Sequence, residues 1–371
     1  MKTGFFWWPA AWASGHNSYQ TSLLTELLGQ DRHPITVITD EAGGPPEIPH
    51  PHQLVTYKAV ARRAARITVR DYGTELPALR AVKRSGVAAL ITNAAFVAPQ
   101  PRSLPLLSIV YETDFFDPSP WHWFEPRMIQ RMAALTTRAL ANATAVFGIS
   151  QHTVDRIVRD FAVAPSRALV AVPAVEACVH PSAASERLLE KYVAQVGWFH
   201  PRKDLALVVS GWVAARRQGL TQDLVLIGRP GPYDRVLGSL GRQVVELAEE
   251  FIGDVHLAGH VSRSEYLSLL AGADALIVGS QQEGFCIPVV EAFALGTPVV
   301  AVDRTALSEV AGPVGTRVAA SASDLARGII DTVSDPPDAA PLRAYAAQFT
   351  AAAQTRPYLD VLDALEEGRW R

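Results

Sequence analysis

Short apolar runs alternate with longer stretches of helical periodicity through nearly the whole chain, and this alternation narrows the possible folds most. Strands separated by helices pair in parallel, so the pattern is the signature of α/β domains. In the first half, residues 4–8, 35–39, 88–92, 106–111, 145–149 and 169–172 read as strands. Residues 18–28 read as a helix with Leu23, Leu24, Leu27 and Leu28 on one face, and residues 128–140 as a longer one. The second half is more regular, with strands over 193–196, 223–227, 255–257, 274–278 and 297–302. One helix opens near Ser262, where Ser262 and Glu265 fit a capping box. Another runs to Leu295, with Gly296 at its end and Pro298 just beyond. Residues 343–370 read as two short helices broken near Pro357.

A chain of 371 residues is too long for one comfortable core and suits two such domains. Residues 173–190, with Pro173, Pro181 and little periodicity, read as the hinge. The expected division is 1–178, 179–350 and a C-terminal helical segment over 351–371. Apolar residues make up 49% and charged residues 19%, an ordinary globular balance. The formal net charge of -3 does not favour nucleic acid as a partner. Two cysteines far apart, Cys178 and Cys286, make a disulfide framework improbable and a reducing compartment the default. The run after Lys2 is short and interrupted by Pro9, so it reads as a first buried strand rather than a leader. With no apolar run long enough to span a bilayer, the expected location is cytoplasmic.

The segment Glu283-Gly-Phe-Cys-Ile-Pro-Val-Val-Glu291 carries the most chemistry. It follows a strand and a loop and opens a helix, so backbone N–H groups are left unpaired in a field that favours negative charge. Gly284 lets backbone approach a ligand closely, and a diphosphate is the natural occupant. Glu283 precedes the helix and Glu291 lies within it; each carboxylate can accept from a vicinal diol. A second segment, Gly197-Trp-Phe-His-Pro-Arg202-Lys203-Asp-Leu, follows a strand and opens a helix. Cations at a helix start work against its dipole, and a bound diphosphate supplies a reason for them. No Asp-x-Asp stands between strand and loop to hold a divalent ion, so Lys203, Arg202 and a helix N-terminus would carry the positive charge without metal.

The string from Glu283 to Glu291 resembles the E-x7-E motif of retaining glycosyltransferases, family 4 in particular. The resemblance spans roughly residues 145–360, with its specific motifs between 196 and 312. It implies a GT-B fold: two Rossmann-like domains facing across a cleft, an acceptor-binding one first and a nucleotide-sugar-binding one second, with a C-terminal helix returning to the first. It implies that Glu283 holds the transferred sugar, Glu291 the ribose and Lys203 the donor diphosphate. Arg202, Gly228, Val261, Gly284, Phe285, Cys286 and Ile287 complete the implied donor-binding set. Gly228 belongs to a strand-ending Gly-rich loop, and Gly259-His260-Val261 is similar to the stretch whose backbone meets the nucleobase. Glu309 also fits the family; read alone it is a carboxylate at a helix N-terminus. The chain departs at Cys286, where the family usually has Gly, and at Trp198, where many members carry Arg.

The first half is less legible. Gly15 and His16 lie in the expected loop between first strand and first helix, with Asn17 or Ser18 as N-cap, and are candidate donor or acceptor contacts. Many relatives have His-Asp after the strand that here runs into Tyr111-Glu112-Thr113-Asp114; Glu112 and Asp114 are candidate contacts to an acceptor hydroxyl or a cationic amine, or simply cap the strand end. Trp121, Trp123 and Phe124 either stack on a sugar or pack a helix. Ser150 is expected to cap the helix after it. Arg62, Arg66 and Arg70 form a stripe that reads as a solvated helix face, with weak contact to the anionic inner membrane surface as the alternative.

The resemblance thus implies transfer of a hexose-type sugar from a nucleoside diphosphate sugar, a co-substrate rather than a cofactor, to a hydroxyl acceptor with retention of configuration. A pseudo-glycosyltransferase or a nucleotide-sugar epimerase on the same scaffold stays open, as does a nucleotide-sugar-binding protein without turnover. A nicotinamide dehydrogenase would need G-x-G-x-x-G after the first strand, which Gly4 and Gly15 do not provide.

Overall fold

A computed structural model describes residues 1–7, 14–30, 32–41, 53–58, 75–93, 104–113, 126–175, 189–228 and 237–370. Asp114, the Trp121/Trp123/Phe124 cluster, the Arg62/Arg66/Arg70 stripe and Cys178 lie outside the described residues. The described chain divides into two compact units: residues up to Ala174 together with those from Thr350 onward, and residues from Val175 to Phe349.

The first unit is built on β1 (Thr3–Phe6), β2 (Ile35–Asp40), β3 (Gln53–Tyr57), β4 (Ala89–Asn93), β5 (Leu106–Val110), β6 (Ala145–Gly148) and β7 (Ala168–Val170). They form one parallel sheet in the order β3-β2-β1-β4-β5-β6-β7. The second unit contains β8 (Tyr192–Val196), β9 (Asp223–Ile227), β10 (Val255–Gly259), β11 (Ala275–Val278), β12 (Val299–Val302) and β13 (Thr316–Val318). Its parallel sheet runs β10-β9-β8-β11-β12-β13. Both are Rossmann-type orders, and the direction of winding reverses between β1 and β4 in one sheet and between β8 and β11 in the other.

The central strands are buried throughout, because helices cover both faces of a parallel sheet, and this is why they read as unbroken apolar runs. The strands that sequence reading missed, β3 and β13, are sheet edges with mixed sequences, Gln-Leu-Val-Thr-Tyr and Thr-Arg-Val. In the second unit Trp212 is fully buried on the helix Leu205–Arg217, and its indole N–H donates to the Gln222 carbonyl at 2.9 Å. Gly211 on that helix admits Leu325 so closely that a Cβ there would meet it at 2.7 Å.

Two helix limits differ from expectation. The first helix spans Ser14–Gly29, so Gly15, His16 and Asn17 form its opening turn rather than a loop before it. Tertiary packing decides this: the His16 ring stacks on Tyr111, centroids 4.0 Å apart at 15°, which draws the early turn onto the sheet. At the other end, the break falls before Thr350, between helices Ala339–Ala346 and Ala351–Glu366, and Pro357 lies inside the second. Thr350 caps that helix by accepting from the Ala353 N–H at 3.1 Å. Burial of Tyr358, Leu359 and Leu362, worth about 2 kcal/mol each, outweighs the ~3 kcal/mol that an interior proline costs.

The final helix completes the first unit. The Tyr358 and Tyr19 hydroxyls meet at 2.9 Å, Tyr19 donates onward to the Ala171 carbonyl at 3.0 Å, and Gln354 donates to the Tyr19 carbonyl at 3.1 Å. Tyr358 also stacks on Phe147 with centroids 3.9 Å apart. Asp363 pairs with His33 at 3.0 Å and with Arg32, and the N-terminal amine pairs with Glu366 at 2.6 Å.

Candidate functional site

In a sheet whose winding reverses, the strand ends on either side of the reversal diverge and leave a crevice at their C-terminal edge. In the second unit those ends belong to β8 and β11, and both carry the polar residues singled out above. After β8 the chain makes a tight 3-10 turn, Pro201–Lys203. His200 caps it through Nδ1, which accepts from the Arg202 N–H at 2.9 Å. Burial, aided by the charges of Arg202 and Lys203, pulls the His200 imidazole down to about 3, so the ring is neutral and able to accept. Asp204, in the left-handed region at φ 48, then caps the helix Leu205–Arg217 by accepting from Leu207 N–H at 3.3 Å. Arg202 and Lys203 therefore precede the helix instead of occupying its first turn, and Asp204 offsets their conflict with its dipole.

The loop after β11 is stitched to this turn. Gln281 N–H donates to the Arg202 carbonyl at 2.8 Å, and the Gln281 side chain donates to Asp204 at 3.1 Å. Lys203 Nζ donates to Glu283 Oε1 at 2.5 Å, and Ser280 Oγ donates to the same oxygen at 2.7 Å. Burial pushes the Glu283 carboxyl up, but the Lys203 and Arg202 charges and the Lys203 and Ser280 hydrogen bonds outweigh it, leaving it below its ordinary range. The Glu283 N–H donates to Thr305 Oγ1 at 3.2 Å. Thr305 holds φ 50, an uncommon conformation for a β-branched residue, so local backbone strain accompanies this contact.

Gly284 and Phe285 follow, both buried. Phe285 meets Phe349 edge-on at 5.6 Å, and Phe349 meets Tyr345 in the same manner at 5.5 Å. Cys286 takes φ 79 and ψ 69 at the N-cap of the helix Ile287–Leu295 and makes no side-chain cap. That left-handed conformation is one that glycine adopts readily and a residue with a Cβ adopts at a cost. Burial, with the Glu283 charge beside it, pushes the Cys286 thiol up to about 12, so it stays protonated and unreactive.

Glu291, in the second turn of that helix, is 4% exposed, and both its oxygens are engaged. Arg263 pairs with Oε1 at 2.6 Å and Tyr266 donates to Oε2. Both partners come from the helix Arg263–Gly272, opened by the expected Ser262/Glu265 capping box. Sequence reading missed them, although Arg263 at a helix start carries the same dipole conflict that drew notice to Arg202 and Lys203. Gly228, at φ 152 after β9, packs against the Gly197 backbone and donates its N–H to the Gly259 carbonyl at 3.0 Å, two residues before Val261. The strand ends of β8, β9, β10 and β11 thus bring Lys203, Arg202, Gly228, Val261 and the motif from Glu283 to Glu291 to one edge of this sheet.

The remaining candidates lie on or beside other elements. His16 and Glu112 belong to the first unit, where Glu112 follows the Tyr111 on which His16 stacks. Gly15 lies one residue before His16 in the opening helical turn. Ser150 caps its helix as expected, accepting from Thr153 N–H at 3.0 Å. Glu309 falls at the end of the helix Thr305–Val310, not at its start. Among the described residues no group of three or more His, Cys, Asp or Glu is placed to hold a metal ion. No helix among them is long and apolar enough to cross a membrane.

Residues 182–349, which contain this whole edge, match the family described as Glycosyl transferases group 1. The chain is 27% identical over 199 residues to an MMP alpha-(1->4)-mannosyltransferase of Mycolicibacterium hassiacum, covering 52% of this chain and 46% of that one. It is 27% identical over 187 residues to the O-antigen chain mannosyltransferase B of Escherichia coli, covering 48% of each. The chain spans about half the length of these curated relatives. Among solved structures, sucrose-phosphate synthase of Thermosynechococcus elongatus superposes with a TM-score of 0.75 at 19% identity, covering 98% of this chain and all (100%) of that one. Anabaena HepE in complex with UDP-glucose gives 0.70 at 16%, again covering 98% and 100%. The fold is thereby the two-domain Rossmann-like fold of GT-B enzymes.

Proposed function

We propose that this chain is a glycosyltransferase that moves a hexose-type sugar from a nucleoside diphosphate sugar to a hydroxyl acceptor with retention of configuration. The part-buried Lys203–Glu283 pair, at the winding reversal of the sheet inside the matched segment, carries the reading. Two relatives are named for mannosyl transfer and one solved neighbour holds UDP-glucose, which supports a hexose as the sugar.

As the bond from the anomeric carbon to the diphosphate breaks, negative charge gathers on the leaving oxygen. Lys203, with Arg202 beside it and the amides at the start of the helix Ile287–Leu295, stabilises that charge. Glu283 accepts from hydroxyls of the transferred sugar, and Glu291 from the ribose. The acceptor oxygen attacks from the face the diphosphate leaves, and the departing diphosphate takes the acceptor proton, so no separate side-chain base is needed. In the first unit, His16, Gly15 and Glu112 are assigned to sugar or acceptor contacts, and Asp114 is assigned with them on sequence alone.

Melting the protein against UDP, GDP, ADP, dTDP and their sugars tests the reading. A ligand at a hundred times its Kd adds about 2.7 kcal/mol of stability, enough to raise Tm by several degrees. No rise with any of them at millimolar concentration removes the donor site. Glu291→Ala is expected to weaken binding of the bare nucleoside diphosphate about 10-fold or more, since it removes hydrogen bonds to a charged group. Titration calorimetry reads this directly, and unchanged affinity contradicts the ribose role.

A further inference from the structure

Glu291 is held in an unusual way for a residue meant to meet a ligand. It is 4% exposed, and each of its oxygens is already engaged by a side chain of one neighbouring helix, Arg263 paired with Oε1 and Tyr266 donating to Oε2. The two donors stand three residues apart, on one face of the helix Arg263–Gly272. The Arg263 guanidinium also lies over the Tyr266 ring, 5.2 Å from its centroid, so each donor restrains the other. Burial, reinforced by the Glu291 charge, pushes the Tyr266 phenol well above its ordinary value, so it keeps its proton and remains a donor. Arg263 occupies the first position of its helix, where its charge opposes the dipole, and Glu291 is the acidic partner that offsets this.

Counting acceptor positions shows what is left. An ionised carboxylate offers roughly four lone-pair sites, two on each oxygen. One donor on each oxygen uses two of them and leaves one on each, the number a vicinal diol needs. Two donors from a rigid helix also fix the plane of the carboxylate, which a long, flexible glutamate cannot do alone.

We propose that Arg263 and Tyr266 are positioning residues for Glu291, aligning its remaining acceptor sites with the two ribose hydroxyls and so setting preference for a ribonucleotide over its 2′-deoxy form. The inference rests on the proposed donor-binding role of Glu291 and names how that role gains specificity. Neither residue touches the reacting atoms; both act through the carboxylate.

The test compares UDP, GDP and ADP with their 2′-deoxy forms by titration calorimetry on the full chain. The parent is expected to favour the ribonucleotide it binds by about 10-fold or more, because the 2′-deoxy form forgoes one hydrogen bond to a buried carboxylate. Arg263→Ala and Tyr266→Phe should each bring that ratio down at least threefold, with Arg263→Lys in between because it keeps the charge without the planar fork. Lys203→Ala should weaken both forms alike and leave the ratio unchanged. A merely structural role for Arg263 would lower both affinities together, and that outcome overturns the inference. So does a parent with no ribose preference, while diphosphate binding would still support the donor site. A parent that binds none of the six, nor dTDP, overturns the inference and the proposed function together, and one that binds only dTDP, itself a 2′-deoxy nucleotide, overturns the inference alone. Arg263 is 55% exposed on its side chain, so its variants should fold, and Tyr266→Phe changes only one atom should Arg263→Ala prove unstable.

Discussion

Lys203→Ala lowers transfer, followed as release of nucleoside diphosphate, by at least ~100-fold. The loss follows from geometry as well as charge. Lys203 is the donor that meets Glu283 at 2.5 Å, and its stem crosses Gly197, where a Cβ would meet its Cε at 3.1 Å. The ammonium is therefore held in place before any diphosphate arrives, which makes it useful against a charge that grows during the reaction. The same substitution strands Glu283, whose side chain is 6% exposed. Removing one partner of a buried pair costs on the order of 3 kcal/mol, so Tm should fall by several degrees while the protein stays folded at assay temperature. Adding Glu283→Gln removes the stranded charge and should recover much of the Tm with none of the turnover. Near-normal turnover in Lys203→Ala would take this residue out of the mechanism.

The pair also fixes how that variant responds to pH. The folded Glu283 carboxyl lies below its ordinary value of 4.5, so in the parent it adds stability above that value and loses it as pH falls through the folded value. In Lys203→Ala the largest opposing influence on burial is gone, and the folded carboxyl moves upward. Its contribution then falls as pH rises through the raised value. The Tm gap between parent and variant should therefore widen as pH rises from below 4.5. A constant gap would mean that Glu283 does not depend on Lys203 for its charge.

Most of the sheet framework was readable because central parallel strands are buried on both faces. β9, with Asp-Leu-Val-Leu-Ile, and β11, with Ala-Leu-Ile-Val, leave little choice of period. The edges β3 and β13 have one side open, so Gln53 and Arg317 interrupt the signal. The helix begins at Ser14, earlier than its sequence suggests, because Gly15 and Asn17 look like loop residues and the stacking of His16 on Tyr111 overrides them. At the candidate site, Lys203, Glu283 and Glu291 stood out through residue type and spacing. Arg263, Tyr266 and Thr305 did not, since their partners depend on strand order: β10 and β11 are separated in the sheet by β9 and β8, yet the segments that follow them meet at Glu291. Pairing across that distance is a property of the sheet, and no local pattern encodes it.

Gly228→Ala is expected to destabilise the protein more than any single change discussed above. The residue follows β9 at φ 152, a conformation that L side chains rarely adopt, so any Cβ carries a strain of about 1–3 kcal/mol. Space makes it worse. A Cβ there would lie 1.9 Å from the Gly197 carbonyl oxygen and 2.8 Å from its carbon. Both are backbone atoms, and no rotamer change relieves the overlap. The two segments are also tied, since Gly197 N–H donates to the Ile227 carbonyl at 2.9 Å and Gly228 N–H to the Gly259 carbonyl at 3.0 Å. Either those ladder ends part or the loop leading to Lys203 shifts outward. Together these terms exceed about 4 kcal/mol, in the exceptional range for one substitution, and predict a fall in Tm of roughly 10 °C or more by calorimetry. Gly197→Ala separates the two consequences. Its Cβ would meet the Lys203 side chain, not backbone, at 3.1 Å, so its stability loss should be smaller and its turnover loss comparatively large. A Gly228→Ala protein melting within a degree or two of the parent would mean that the β8 and β9 ends are not packed backbone to backbone, and the placement of Lys203 would lose its footing with them.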